Sequence, residues 1–281
     1  SYFLEHNVLL RRFALSVGVL ANYNSALNEG IHFYPGIDAS YRIGDNFRLY
    51  GSWNRALRMP TFTDLYYEGK TNKGNPDLKP EESEAFEVGL KYNTYFLRAH
   101  IAGFYRKGKN MIDWVKEKPE DIWESQNLTK VDNLGFETNL SLLPRELGNE
   151  RFFIRKIELG YAFIHQDKDS EGYISNYALD YLKHKFTAQL SHSIWKGFSA
   201  TWYVRWQDRA GSYTKYENLK PAYEEPYAPY CLVDMKVNWE YQRLNLYAEL
   251  NNLLNSTYYD LGNIPQPGIW FKAGFRYSFK Y

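Results

Sequence analysis

The chain has 281 residues, a formal net charge of +1 and one cysteine, Cys231. The near-zero charge argues against a nucleic-acid surface, and a single cysteine excludes an intrachain disulfide framework, leaving Cys231 as a small apolar wall residue. No run approaches roughly 18 consecutive apolar residues, so membrane-spanning helices are excluded. A mean hydropathy of -0.58 suits a soluble protein, but it equally suits a wall that hides its apolarity by alternation, and 26 Tyr and 8 Trp favour the second because these rings anchor at membrane–water interfaces.

Ser1 opens directly on SYFLEHNV with no signal peptide, so a secreted chain would be mature, trimmed or a fragment. The first clear period is Phe13, Leu15, Val17, Val19, Ala21 and Tyr23, alternating with Arg12, Ser16, Gly18 and Asn22. Comparable segments predict strands at Phe33–Ile43, Phe47–Asn54, Ala85–Tyr92, Phe96–Arg106, Gly135–Leu142, Ile157–His165, Lys185–Ile194, Phe198–Trp206, Val233–Tyr241, Leu244–Leu253 and Phe271–Tyr281. In the last of these, Phe271, Ala273, Phe275, Tyr277, Phe279 and Tyr281 face away from Lys272, Arg276 and Lys280. A water-soluble strand rarely carries so many aromatics on one face; a lipid-facing strand does. About twelve strands result, most near the roughly 9–11 residues that a tilted strand needs to cross a bilayer.

The connections alternate in length. Asn24–Ile31, Arg58–Pro80, Glu117–Asn133, Asp167–Asp180, Arg209–Pro229 and Asn255–Pro267 are long. Gly44–Asn46, Asn93–Thr94, Trp195–Gly197 and Gln242–Arg243 are short, with Pro144–Glu150 intermediate. Outer-membrane barrels have short periplasmic turns and long extracellular loops, whereas a soluble sandwich has no reason for the alternation. The expected fold class is all-β, an antiparallel transmembrane β-barrel domain over residues 1–281 in the bacterial outer membrane, in contact with its lipid. If the first and last strands paired, the segment would close on itself; otherwise other parts of a larger barrel must flank them.

Two segments carry more than periodicity. Trp53–Tyr92 contains Arg58-Met59-Pro60 and Asn75-Pro76-Asp77-Leu78-Lys79-Pro80-Glu81, and Ala248–Tyr277 contains Asn251-Asn252-Leu253, Tyr258 and Pro267-Gly268. Read physically, Asn75-Pro76-Asp77 is turn chemistry that shapes the return of a long loop to the wall. In order and spacing these motifs resemble TonB-dependent outer-membrane receptors, most similar in wording to cobalamin-receptor-like proteins of the Bacteroides type. The resemblance implies a barrel of about twenty-two strands of which this chain is the C-terminal part, with the plug domain absent from it. It also implies partnership with the TonB complex through the missing N-terminal part, and import of a bulky scarce nutrient: cobalamin, a ferric siderophore or haem.

Ligand contacts are expected from loop aromatics, which offer rigid contact area: Tyr66, Tyr67, Trp114, Trp123, Tyr213, Tyr216, Tyr223, Tyr227 and Tyr259. The plain alternative for each is an interfacial girdle or loop self-packing. Asp167, Asp169 and Glu171 are spaced like the opening of a calcium loop, but Ala178 stands where its bidentate glutamate belongs, so they read as weak calcium candidates in a solvated acidic loop. The histidines show no ligand spacing, and no metal or cofactor is assigned; His32 and His184 are the two that could meet a haem in the loops. No enzyme is expected. His192-Ser193 invites a lipid-hydrolase reading, but it lies beside the short turn Trp195–Gly197 without an acidic orienter. A passive porin-like channel is the other alternative.

Overall fold

The computed structural model describes residues 1–24, 30–118, 120–148, 152–169, 172–175, 181–217, 220–262 and 264–279. In chain order the strands are β1 (Tyr2–Leu9), β2 (Phe13–Tyr23), β3 (Ile31–Ile43), β4 (Phe47–Arg58), β5 (Asn72–Lys73), β6 (Glu81–Asn93), β7 (Leu97–Lys116), β8 (Trp123–Leu142), β9 (Ile154–Asp169) and β10 (Ile174–Ser175). They continue as β11 (Leu182–Ser193), β12 (Phe198–Arg209), β13 (Ser212–Glu217), β14 (Lys220–Pro226), β15 (Tyr230–Tyr241), β16 (Leu244–Asn251), β17 (Tyr259–Leu261), β18 (Ile264–Pro265) and β19 (Trp270–Tyr277). One short helix, α1 (Phe62–Tyr66), follows β4, and a 3-10 turn, Pro144–Leu147, follows β8.

The chain forms two compact units. The first holds Ser1–Lys91, Ile101–Phe136 and Ile164–Leu179, with strand order β1-β2-β3-β4-β6-β7-β8; β10 is laid on β7 and β5 on β8. The second holds Tyr92–His100, Glu137–Phe163 and Asp180–Tyr281, with strand order β8-β9-β11-β12-β15-β16-β19. The long strands β7, β8 and β9 give a segment to each.

Register sorts the side chains into two faces. In the second unit Phe271, Leu250, Met235, Trp202, Leu190 and Ile157 form one row across six strands. The neighbouring row on the other face is Lys272, Glu249, Lys236, Thr201, Ser191 and Lys156. Glu249 takes ion pairs from Lys236 at 2.7 Å and Lys272 at 2.5 Å, Ser191 and Thr201 hydrogen bond at 3.1 Å, and Lys156 pairs with Glu158 at 2.8 Å, so the polar face satisfies its own groups. The apolar row has no covering layer: Phe271 is 61% and Phe275 73% exposed. In the first unit Val8, Leu15, Ala39 and Gly51 share a row on the apolar face, and Asn7, Ser16, Asp38 and Ser52 share one on the polar face. A wall with one dry-seeking face and one hydrogen-bonded face is stable between hydrocarbon and water.

Thirteen strands succeed one another in these ladders, against about twelve expected. The additional one is β1, whose apolar residues Phe3 and Leu9 stand on the face opposite Tyr2, Leu4 and Val8 and blur the period. Strands β7 and β8 are each 20 residues long; β7 runs on past Arg106 to Lys116, and β8, from Trp123, takes up most of the expected loop Glu117–Asn133. The loop expected at Arg209–Pro229 carries the hairpin β13–β14, and that at Asn255–Pro267 carries β17–β18. Strand β19 ends at Tyr277 rather than continuing to Tyr281; Ser278 still donates to Arg243, and Lys280 and Tyr281 lie outside the described residues. Among the described residues β1 is laddered to β2 alone, and β19 to β16 alone. Each therefore keeps an edge whose backbone groups are unpaired.

Candidate functional site

The first motif acts as a brace. Arg58, the last residue of β4, grips Glu81, the first of β6, with two bonds of 2.5 Å, and Glu81 also accepts from the Ile112 amide at 2.8 Å. Glu81 is 8% exposed, so its charge is compensated where water is scarce. Between them α1 opens with a capping box: Thr61 Oγ1 accepts from the Asp64 amide and Asp64 accepts from the Thr61 amide. Asn75 makes the turn by accepting the Asp77 amide at 2.9 Å, and Asn127 of β8 clamps the returning chain, exchanging bonds with the Lys79 amide and carbonyl. Gly74 passes so close to α1 that a Cβ would lie 2.8 Å from the Leu65 carbonyl carbon. The motif thus shapes a loop, the role read from its turn chemistry, and presents Tyr66 and Tyr67, 64% and 50% exposed, on top of it.

Trp114 is buried beneath this loop, with Tyr67 edge-on to it at 6.4 Å. Trp123, on the extension of β8, is half-buried under the Lys116 ammonium, 4.5 Å from its ring centroid. Asp113 was not singled out from sequence: it is 2% exposed, accepts from the Trp114 amide and receives the Ser175 hydroxyl, which ties β10 to β7. Past Arg106 the sequence KGKNMIDWVK keeps no period of two that could have signalled it.

The second unit carries the other aromatics. Tyr213 stacks on Tyr259 at 5.3 Å and packs against Tyr227 at 5.1 Å, and the Arg209 guanidinium lies over the Tyr227 ring. Tyr213 and Tyr227 are 7% and 8% exposed, and the Tyr227 hydroxyl accepts the Gly262 amide. Burial, followed by the charge of Glu225, raises the Tyr213 phenol above its ordinary range. These three tyrosines therefore form a packed nucleus under the loops, the self-packing alternative. Tyr216 and Tyr223, on the hairpin above, stay 53% and 51% exposed. Lys215 bonds Glu225 at 2.6 Å across that hairpin, which raises the ammonium pKa.

The second motif organises the final loop around one side chain. Asn252 has φ 52°, is 3% exposed, donates to the Ser256 and Pro267 carbonyls and accepts the Ser256 amide. Its own amide is held by Asp234 at 2.7 Å. Asn255, φ 49°, accepts the Ile269 amide just after Pro267-Gly268. Asparagine tolerates this left-handed backbone and offers both donor and acceptor, which is why it stands at both corners.

Other expected residues do not converge. Of the calcium candidates, Asp167 is exposed, while the Asp169 side chain and Glu171 lie outside the described residues, as does Ala178. Among the described residues no three His, Cys, Asp or Glu side chains gather as a metal set. His184 is not a loop residue: it sits on the apolar face of β11 between Tyr161, Phe163 and Trp206, bonded to the Tyr161 hydroxyl at 2.8 Å. His192 and Ser193 diverge. His192 lies opposite Ala200 on the apolar face and accepts from Trp202 Nε1, whereas Ser193 Oγ accepts from Arg145 and Arg155. A nucleophile–base pair needs both on one side, so this geometry holds no hydrolase dyad.

Known proteins carry the same wall. The chain is 27% identical over 178 residues to a vitamin B12 transporter of Vibrio vulnificus, covering 50% of this chain and 28% of that protein. It is 22% identical over 297 residues to the ferrienterobactin receptor of Escherichia coli, covering 95% and 38%. The chain thus spans well under half the length of these relatives, which are transporters and receptors and not enzymes. Among solved structures, the ferric enterobactin receptor of Pseudomonas aeruginosa in complex with enterobactin superposes with a TM-score of 0.75 at 20% identity, covering 99% of this chain and 45% of that one. The FrpB iron transporter of Neisseria meningitidis gives a TM-score of 0.71 at 16% identity, covering 99% and 44%. Residues 2–253 match the family model described as "TonB dependent receptor-like, beta-barrel", and the chain belongs to that family of outer-membrane receptor barrels.

Proposed function

We propose that residues 1–281 form the C-terminal part of the barrel of an outer-membrane receptor, which binds a bulky scarce nutrient at its long-loop end and imports it with energy supplied through TonB. The plug and the TonB-contacting segment belong to the rest of that receptor, and further strands cover the edges of β1 and β19. Family membership over residues 2–253 carries this reading. The half-exposed Tyr66 and Tyr67 in one unit and Tyr216 and Tyr223 in the other, each held over packed aromatics, support it, because rigid rings suit a large, partly apolar ligand better than a bare ion. The long-loop end is extracellular in this reading. Cobalamin, a ferric siderophore and haem stand as the nutrient classes; the vitamin B12 transporter and ferrienterobactin receptor among the relatives keep the first two foremost.

The test is direct binding to the purified full-length receptor. One of cyanocobalamin, ferric enterobactin and haemin should bind, and replacing Tyr216 and Tyr223 by Ala should weaken it by about tenfold, as loss of contact residues worth more than about 1 kcal/mol would. In planar bilayers the receptor should be nearly silent. Steady large conductance together with no binding of any of the three would replace the receptor reading by the porin-like one.

A further inference from the structure

The apolar face of the first unit is not uniformly filled. Ala39 of β3 and Gly51 of β4 on one side of β6, and Gly103 of β7 on the other, make low points of an open trough that Trp53, Phe86, Val88 and Tyr105 also line. The glycines are not there for the backbone, since neither has a positive φ. Nor are they forced by neighbours: a Cβ on Gly51 would meet only the Glu87 carbonyl at 3.4 Å, and one on Gly103 only the Gly135 carbonyl at 3.9 Å. Gly89 on the opposite face is different, because a Cβ there would strike the Tyr50 ring at 2.5 Å. The wall would accept side chains at 51 and 103, and their absence leaves a channel for something else.

Position decides what. Gly51 is the fifth residue of β4 and Gly103 the seventh of β7, counted from the short-turn end, so both lie at hydrocarbon depth for strands that cross in about 9–11 residues. The trough is continuous with the row Val8–Leu15–Ala39–Gly51, part of the face that meets lipid. Further toward the long loops the same face turns polar. Arg55 is paired with Glu82, Trp53 donates to Glu84, and Asp132 is shared by Lys130 and the Tyr105 hydroxyl. That leaves Lys107 and Lys109, the eleventh and thirteenth residues of β7, exposed and without an ion-pair partner among the described residues. An apolar channel that reaches Tyr105, with Lys107 and Lys109 next along the same face of β7 at headgroup height, matches an acyl chain attached to a phosphate.

We propose that this trough seats one acyl chain of a phosphorylated glycolipid of the outer leaflet, with its phosphate at Lys107 and Lys109. The leaflet rests on the outward orientation of the long loops given above. The experiment uses the full-length receptor, extracted in mild detergent and delipidated, with lipid A, dephosphorylated lipid A and phosphatidylglycerol as probes and native mass spectrometry as the readout. One lipid A per receptor should remain bound. Gly51→Leu with Gly103→Leu should weaken retention at least tenfold, while Lys107→Gln with Lys109→Gln, which disturbs no packing, should weaken lipid A several-fold and leave the dephosphorylated form unchanged. Nutrient binding by both variants should stay at the wild-type level, and a wild-type receptor that binds its nutrient but retains no lipid A overturns this inference alone. Unchanged lipid A retention in both variants overturns it. So does equal retention of phosphatidylglycerol, or efficient Val88→Cys cross-linking between two receptors, which would make the face an interface between copies.

Discussion

At the scale of single residues, the side chains that do most are asparagines and one ion pair. Asn252 closes a 15-residue excursion by bonding both Ser256 and Pro267, at a backbone angle that few other residues accept. Removing it leaves two carbonyls and an amide short of partners in a site only 3% exposed. Asn252→Ala should therefore cost about 2–3 kcal/mol, and Asn252→Gly, which relieves the backbone but not the bonds, somewhat less. Denaturation midpoints of the two variants in detergent would check this; equal midpoints for wild type and Asn252→Ala would mean that the loop closes without its hub. Arg58 and Glu81 have the same character: the residues read as family motifs hold loops in place, and Tyr66 and Tyr67 beside them stay exposed.

At the scale of strands, the argument turns on depth. Phe275 pairs with Leu246, two residues above the turn at Gln242–Arg243, whereas Val237, paired with Ala248 and Ala200, lies further into the strand. The cost of a charge on the lipid face falls from about 2–4 kcal/mol at the bilayer midplane to about 0–1 near the interface. Val237→Arg should sit at the upper end of that range and Phe275→Arg near the lower. Urea unfolding in phospholipid vesicles would separate them, and a Phe275→Arg penalty equal to that of Val237→Arg would show that the strand is deeper than its register implies.

At the scale of the whole molecule, β1 and β19 each have one ladder and one bare edge. Unpaired backbone groups cost several kcal/mol each in hydrocarbon. In the isolated chain, amide exchange on β1 and β19 should be orders of magnitude faster than on β11 and β12, which are laddered on both sides. In the full-length receptor proposed above, the same amides should be protected by the flanking strands of that proposal. Slow exchange at both ends of the isolated chain would instead mean that the two edges find each other.

Most strands and their facing were legible in the sequence by itself, because each depends on a period of two and on local turn residues; β1 and the part of β8 inside the expected loop Glu117–Asn133 were not. Phe271 to Tyr277 declares its apolar face without knowing its neighbours. Family membership was legible too, since Arg58, Asn75–Glu81 and Asn251–Leu253 occur in order. Three things waited for tertiary structure. The first was whether a loop aromatic is a surface or a core: Tyr213 and Tyr216 are three residues apart and indistinguishable in sequence, yet one is buried against Tyr227 and Tyr259 and the other half exposed. The second was how far β7 and β8 run, because Asp113 and Trp114 are ordered by β10 and by the loop above them, which are distant in the chain. The third was the trough, which exists because Gly51 and Gly103, on strands separated by β6, fall on one face. Burial and juxtaposition are set by which segments lie across from one another, and local period carries no record of that.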